Sequence, residues 1–411
     1  MRILVLGMNY LPESASIGPY TADLAQFLAT RGHDVQIVTS FPMAPQWRIW
    51  DGYRGEWWRR EVINGVRVLR TYVYVPADPR RALKRVLYDI SFSLSGLAGT
   101  IASGRADVIL AISPPLQLGV TAWLAGLFKR APVFLHLQDL VPDAAVATGL
   151  IDERSTMLRL ARQLERFVYR RATRIGVICE GFRTNLLAKA VASEKITLLP
   201  NYIDLAFMRP SARDEGLRAR LGAGSDDFLV MYSGSIALKQ GLEVLVDTAD
   251  RLRDDPRVKF AIVGEGPPLE ALKEKTRALG LGNVAFLPFQ PRETLPRQLA
   301  SADALVITQR PTVRDVVFPG KLLYYMAAAR PILAAVSEDS ETGRFINATG
   351  VGMVARPERP DDLAAAITAL RQGGAAEMGR RGRAQVESQF AGTVVLPAFA
   401  AVLEQMAARH A

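Results

Sequence analysis

The apolar positions of this chain fall into short blocks that alternate with amphipathic stretches, and the alternation runs through twice. Residues 3–6 form a short apolar block, and the loop 9–18 after it is rich in Pro, Ser and Gly. Leu24, Phe27 and Leu28 then share one face of a helix predicted over 19–31, which Gly32 ends before a second apolar block at 35–38. Strand, helix, strand in that order is a βαβ unit and implies parallel pairing. Further strands are predicted at 66–71, 108–111, 133–137 and 174–179, with helices over 80–102, 117–128 and 156–170.

A second series begins after a polar spacer. Its strands are predicted at 228–232, 258–263, 284–287, 304–307, 332–335 and 352–355, and its helices over 242–254, 269–279, 295–300, 322–329 and 361–372. The join runs Leu198-Leu199-Pro200-Asn201-Tyr202-Ile203-Asp204. The strand over 228–232 ends in Ser233-Gly234-Ser235, and Lys239-Gln240-Gly241 follows just before a helix. A strand that feeds a helix through small residues offers backbone N–H groups to a phosphate. The expected organisation is α/β: two Rossmann-like parallel-sheet domains, 1–201 and 202–388, facing across a cleft. A terminal helical segment, 389–411, is interrupted near Pro397 and is expected to cross back onto the first domain.

Composition narrows the chemistry. A length of 411 residues fits about two domains of roughly 150–200 residues. Cys179 is the sole cysteine, so no internal disulfide forms, and its place after an apolar run reads as a buried structural thiol. One Cys and three scattered His do not assemble a zinc site of the usual type. The first apolar block is too short for a signal peptide, and no apolar run reaches about 18 residues, so a cytosolic chain without a membrane span is expected. A net charge of +10 fits phosphorylated substrates, anionic membrane or nucleic acid, or an arginine-rich surface with no partner. Nucleic acid leaves the two-lobed pattern without a use. Neither half carries G-x-G-x-x-G after its first strand. Gly264-Glu265-Gly266 is followed by Pro267 and Pro268, which disfavours dinucleotide hydride chemistry.

These features resemble the GT-B fold glycosyltransferases of family 4. The resemblance rests on Pro200-Asn201-x-x-Asp204 at the join, Gly234 and Gly241 opening the second half, Arg31-Gly32-His33-Asp34-Val35, Val263-Gly264-Glu265-Gly266-Pro267, and Phe286-Leu287-Pro288-Phe289. It covers essentially the whole chain. Gln240-Gly241 and Asp139-x-x-Pro142 bring it nearest to bacterial enzymes that move deoxy- or amino-sugars in exopolysaccharide and O-antigen assembly. The resemblance implies a retaining, metal-independent transfer from a UDP- or GDP-sugar, with the first domain binding the acceptor and the second the donor. The chain also departs from the family. Val316 and Tyr324 stand where two glutamates are usual, Ser235 where an Arg is usual, and Gln240 where a Lys is usual. Neither Val316 nor Tyr324 can accept hydroxyl hydrogen bonds as a carboxylate does. An epimerase or hydrolase of the same fold, and a sugar-nucleotide-binding protein without activity, are the alternatives.

Loss of a diphosphate builds negative charge on the bridging oxygen, so the site needs cations and N–H dipoles there. The chain has no Asp-x-Asp pair to clamp a metal, so no metal or other cofactor is expected and the charge must come from the protein. Lys321, at the start of the helix over 322–329, is the first candidate and Lys239 the second, with Gly234 and Ser235 completing the cradle. Phe289 is expected to cover the base, Gln290 to read its edge with its backbone, and Tyr324 to pack near the ribose. In the first domain the resemblance leaves open whether His136 or Gln138 contacts the donor sugar; alternation puts both on one strand face. Asp139, at the strand's C-terminal end, is the better-placed carboxylate for the acceptor hydroxyl or the developing positive charge. Ser16 and Gly18, before the first helix, are expected to meet phosphate or acceptor.

For the acceptor, Trp47, Trp50, Trp57 and Trp58 interleave with Arg48, Arg54, Arg59 and Arg60. Arg80, Arg81, Lys84 and Arg85 then open a helix that carries Leu87, Ile90, Phe92, Leu94 and Leu97. Aromatic and basic residues beside an apolar helix suit an anionic bilayer, where a polyprenyl-diphosphate-linked glycan also sits. The expected location is peripheral, at the inner face of the plasma membrane.

Overall fold

The structure, a computed structural model, describes residues 1–13, 17–44, 46–78, 82–147, 151–312 and 320–410. It divides into two units, Met1–Pro200 with Val395–Ala411, and Asn201–Val394. Each is an α/β domain around its own open sheet.

The first unit runs β1 (Arg2–Leu6), α1 (Gly18–Thr30), β2 (Asp34–Ser40), β3 (Trp58–Ile63), β4 (Val66–Thr71), α2 (Ala82–Ala102), β5 (Val108–Ser113) and α3 (Leu118–Lys129). It continues β6 (Val133–Leu137), α4 (Val141–Ala147), α5 (Thr156–Arg171), β7 (Arg174–Val177), α6 (Glu180–Ala188) and β8 (Ile196–Leu198). The sheet order is β3-β4-β2-β1-β5-β6-β7-β8, with every pair parallel except β3 with β4. Ile3, Leu4, Val5 and Leu6 are all buried because β1 lies inside the sheet, between β2 and β5. Strand order reverses there, the place where open α/β sheets take ligands at their C-terminal edge. Pro19 lies in the first turn of α1, where its missing N–H costs nothing, and Gly32 follows the helix at φ +84°, a left-handed stop.

β3 is a strand the apolar pattern does not predict. Its residues alternate between exposed and half-buried and include Arg59, Arg60 and Glu61. That is a charged edge strand, which discourages further pairing.

The second unit runs α7 (Glu215–Arg220), β9 (Phe228–Ser233), α8 (Glu243–Arg251), β10 (Val258–Val263), α9 (Leu269–Ala278), β11 (Val284–Leu287), α10 (Leu295–Ala300) and β12 (Ala304–Thr308). Then come α11 (Lys321–Ala327), β13 (Ile332–Ala335), α12 (Glu341–Thr349), β14 (Gly352–Ala355), α13 (Pro360–Gln372), α14 (Ala375–Gln385) and α15 (Gly392–Ala408). From Val395 onward α15 belongs to the first unit. The second sheet is ordered β11-β10-β9-β12-β13-β14 and is parallel throughout. Apolar side chains on its two faces form two cores. Met231, Ala261 and Leu305 point into one with Leu322, Tyr325 and Met326 of α11, and Val230, Phe260 and Val306 point into the other. β9 is the reversal point, with β10 on one side and β12 on the other. Tyr232 is level with Ile262 and Ser233 with Val263, so the β9 and β10 strands end side by side.

Candidate functional site

The loops after β9 and β10 lie against one another. Gly234 N–H donates to Val263 O at 2.9 Å and Ile236 N–H to Glu265 O at 2.8 Å. A Cβ on Gly264 would stand 2.0 Å from Gly234 O, and one on Gly266 1.7 Å from Ile236 O, with φ at +153° and +156°. Only glycine fits either place. The Gly264-Glu265-Gly266 run therefore exists to let two strand-end loops touch. Because Gly234 and Ile236 spend their N–H groups on the end of β10 and the loop after it, the N–H between them, that of Ser235, is the one with no partner among the described residues. The expected backbone donor thus shifts from Gly234 to Ser235, whose side chain is exposed.

This loop is anchored from below. Tyr325 OH accepts from Ser233 N at 2.9 Å and donates to Ser233 O at 3.0 Å, and Gln298 Nε2 donates to Ser233 Oγ at 2.8 Å. Tyr232 OH donates to Ser235 O at 2.6 Å. Burial holds both phenols above the ordinary tyrosine range.

Lys321 begins α11, and its Nζ reaches the same loop. It donates to Tyr232 OH at 2.6 Å, sits 3.8 Å from the centre of that ring, and lies 3.2 Å from where a Cβ of Gly234 would be. A side chain at position 234 would displace the amine. No carboxylate pairs with Lys321 among the described residues. Burial lowers its pKa from 10.5 to about 7, and the positive charge of Lys239 adds to the effect. Two expected cations therefore share one electrostatic neighbourhood, one half-buried and one exposed.

Lys239 stands on the turn between β9 and α8. Gln240 closes that turn, its Oε1 accepting from Ala237 N at 2.8 Å, and Gly241 leaves it at φ +58°. Arg310, just past β12, is a residue the sequence pattern does not single out. Its N–H donates to Lys239 O at 2.9 Å and its Nε to Leu238 O at 2.8 Å, while Glu243 and Glu358 pair with its guanidinium at 3.0 and 2.9 Å. It braces the Lys239 turn from the neighbouring strand end. At the end of β11, Phe289 is 49% exposed and so is no core residue. Gln290 is half-buried, its Nε2 donating to Pro288 O at 2.9 Å. Tyr324 leans half-buried on the core beneath α11. Val316 and its neighbours 313–319 lie outside the described residues, as does Ser16. Among the described residues no cluster of three or more His, Cys, Asp or Glu could hold a metal ion.

In the first unit, His136 and Gln138 do share a face, but that face is the core. His136 is 4% exposed, its Nε2 lies 3.4 Å from Leu199 O, and Gln138 Nε2 lies 3.3 Å from its Nδ1. Phe399 of α15 meets the ring edge-on at 4.8 Å. Burial lowers its pKa to about 4 against the opposing bond to Leu199. A neutral, buried ring with a neighbour at each nitrogen reads as core packing, against the expectation of a catalytic His136. Asp139, two residues past the end of β6, is exposed at the strand's C-terminal end. Gly18 does permit a close approach, but to the chain itself. Its Cβ position lies 3.1 Å from Glu13 O. Glu13 is buried and accepts from Met43 N at 2.5 Å and Ala44 N at 2.6 Å, tying the loop after β1 to the loop after β2. At the reversal point, Tyr10 OH and Ser113 Oγ are buried with no hydrogen-bond partner among the described residues.

The four tryptophans do not make one basic-aromatic face. Trp47 packs on Tyr88 at 5.2 Å with Arg85 over both rings. Trp50 Nε1 donates to Ala44 O, Trp57 stacks on Tyr72, and Trp58 belongs to edge strand β3. Arg80 and Arg81 lie outside the described residues. Apolar exposure gathers elsewhere, on the outer face of α2 and α3. Leu83, Leu87, Ile90, Leu94 and Ile101 recur at helical spacing along α2, and Leu124, Leu127 and Phe128 follow on α3.

Residues 16–202 match the family model of the glycosyl transferase 4-like domain, and residues 227–372 that of glycosyl transferases group 1. The chain is 32% identical over 374 residues to a putative colanic acid biosynthesis glycosyl transferase, WcaI, of Escherichia coli strain K12, covering 89% of this chain and 91% of that protein. It is 27% identical over 291 residues to the alpha-monoglucosyldiacylglycerol synthase of Streptococcus pneumoniae, covering 68% of this chain and 59% of that one. Among solved structures, Anabaena Alr3699/HepE in complex with UDP-glucose aligns over 98% of this chain and 100% of its own, with a TM-score of 0.71 at 19% identity.

Proposed function

Given that the chain belongs to the GT-B glycosyltransferases, with a glycosyl transferase 4-like domain followed by a group 1 domain, we propose that it is a retaining, metal-independent transferase. It moves a sugar, in our reading a deoxy- or N-acetylamino-hexose, from a UDP- or GDP-sugar onto a lipid-linked glycan in cell-surface polysaccharide assembly.

The observation that carries this reading is the Lys321 amine, held 2.6 Å from Tyr232 OH against the bare backbone of Gly234 with no acid paired to it among the described residues. Charge on a poorly solvated amine is costly, and the cost is repaid when an anion arrives. The diphosphate of a nucleotide sugar is such an anion. In this reading Lys321 and Lys239 face its oxygens, the open N–H and hydroxyl of Ser235 donate to it, and Phe289 covers the base beside Gln290. As the bond from the sugar carbon to the diphosphate oxygen breaks, charge grows on that oxygen and the two ammonium groups stabilise it. The acceptor hydroxyl attacks from the same face, and its proton passes to the leaving phosphate. In the first unit, Asp139 is the carboxylate we assign to the acceptor side. The UDP-glucose in the HepE complex and the colanic acid biosynthesis in the WcaI name support the donor class and the pathway class.

The lipid-linked acceptor is supported by the exposed apolar face of α2 and α3 and by the flanking row Arg159, Arg162, Arg166 and Arg170, all exposed on α5. The glycolipid product in the pneumococcal relative's name agrees with it. We read the enzyme as a peripheral protein on the inner leaflet; no helix among the described residues is long and apolar enough to cross a membrane.

A thermal-shift panel of UDP-, GDP- and ADP-sugars tests the donor site. One base class is expected to stabilise the wild type and to leave Lys321→Ala unmoved. Stabilisation of both proteins alike would contradict the site. NMR of the product tests stereochemistry, with retention of the donor's anomeric configuration expected and inversion overturning the mechanism.

A further inference from the structure

The first unit carries an open groove of about 910 Å³ at the N-terminal ends of its strands, the edge opposite Asp139. Arg2 and Asp107 form its floor, the C-terminal ends of α2 and α3 one wall, and α15 the other. Its acids are already engaged. Asp107 pairs with Arg2 at 2.5 Å, and Glu404 with Arg31 at 3.2 Å and His33 at 3.0 Å. Lys129 is also committed, its Nζ donating to Ser103 O and Gly104 O at 2.6 Å each, where it closes the carbonyl end of α2.

Arg105 and Arg130 remain. Both line the groove, both are exposed, and neither has a hydrogen bond or ion pair from its side chain among the described residues. Arg130 is held in left-handed backbone at φ +55°, its N–H donating to Gly126 O, so the side chain leaves the end of α3 in a fixed direction. Phe128, 70% exposed, lines the same groove, and Leu127, Leu124 and Ile101 continue from it along the open apolar face. Unpaired guanidinium forks beside an unpartnered apolar surface match an amphiphile whose head is an anion. A free anion would leave the apolar side bare, and an apolar partner would leave the two arginines unpaired.

We propose that this groove is a lipid-headgroup site: Arg105 and Arg130 bind the phosphate of an anionic phospholipid while Phe128 and Leu127 enter the acyl region. The site rests on the membrane reading above and gives it a fixed point of attachment, at the opposite edge of the first sheet from Asp139. It takes a bilayer lipid, not the acceptor.

Flotation of the full chain with phosphatidylcholine vesicles, with and without phosphatidylglycerol, tests it, with UDP binding measured on every protein. The wild type is expected to float with the anionic vesicles. Arg105→Ala/Arg130→Ala is expected to lose about tenfold or more of that binding, and Phe128→Ser/Leu127→Ser to lose a similar amount. Arg257→Ala/Arg277→Ala, which removes the same charge from exposed positions of the second unit, is expected to stay within about twofold of wild type. UDP binding is expected to be unchanged throughout. Equal losses in the two arginine pairs would overturn the site in favour of diffuse attraction, as would undiminished binding by the Arg105/Arg130 variant. Inorganic phosphate that displaced the protein from vesicles at concentrations too low to screen charge would show a free-anion site instead. No vesicle binding by the wild type, with UDP still bound, would remove this site and the membrane reading together and leave the transferase reading standing.

Discussion

The Nζ of Lys321 lies 2.6 Å from Tyr232 OH and 3.8 Å from the centre of the Tyr232 ring. An amine in that position is solvated by one hydroxyl and a π-face where water would otherwise stand. Its folded pKa is about 7, below the 10.5 of an unfolded chain. Between those values the unfolded state binds more protons, so this group lowers stability progressively as pH falls from about 10.5 to about 7. Binding of a diphosphate favours the charged amine and draws in a proton. Affinity for UDP is therefore expected to weaken as pH rises above about 7, and the dependence is expected to vanish in Lys321→Arg, which stays charged. Calorimetry in buffers of different ionisation heat measures the proton uptake directly. No uptake in the wild type at pH above about 7 would mean that the amine is already charged in the free protein.

Gly266→Ala places a methyl group where Ile236 O already stands, 1.7 Å away. The β9 and β10 loops must part to admit it, in a backbone region that L-residues avoid. A loss of about 3 kcal/mol or more is expected in urea denaturation, along with loss of UDP binding. An unchanged midpoint would show that the two loops are not in contact.

Tyr325→Phe removes one oxygen that serves both Ser233 N and Ser233 O. Leaving those groups unpaired in a buried place is expected to cost about 1–3 kcal/mol. Because the loop they hold carries Ser235, UDP affinity is expected to fall as well. Wild-type affinity in a destabilised protein would separate the anchor from the site.

Packed between Phe134 and Phe399, His136 is expected to act on stability and not on chemistry. Its folded pKa of about 4 lies below the 6.5 of the free residue. The stabilisation is therefore complete above about 6.5 and is lost as pH falls toward about 4, by up to about 3 kcal/mol. His136→Phe, set beside Phe134 and Phe399, is expected to lack that acid-dependent loss and to retain turnover. A large fall in kcat with stability intact would return the residue to the active site.

Much of this architecture is legible in the apolar blocks, because central parallel strands such as Ile3–Leu6 are buried on both faces and read as unbroken hydrophobic runs. β3 is hidden because an edge strand of the form Trp58-Arg59-Arg60-Glu61 shows charge where a pattern search wants alternating apolar residues. Lys321 is visible as a cation at a helix start, yet its partner Tyr232 lies 89 residues earlier and only folding joins them. The spent N–H of Gly234 depends on β10, and the sealing of His136 on Phe399 near the chain's end. Arg310 escapes notice for the same reason: its meaning lies in the Lys239 turn it braces, on a different strand end.

The most direct test of the donor site is the affinity of UDP for wild type and for Lys321→Met, measured side by side by isothermal titration calorimetry near pH 7. Loss of the charged contact is expected to weaken binding about 10- to 100-fold while the fold, followed by circular dichroism, stays intact. Equal affinity in the two proteins would mean that the diphosphate is held elsewhere, and the account built on this lysine would fail.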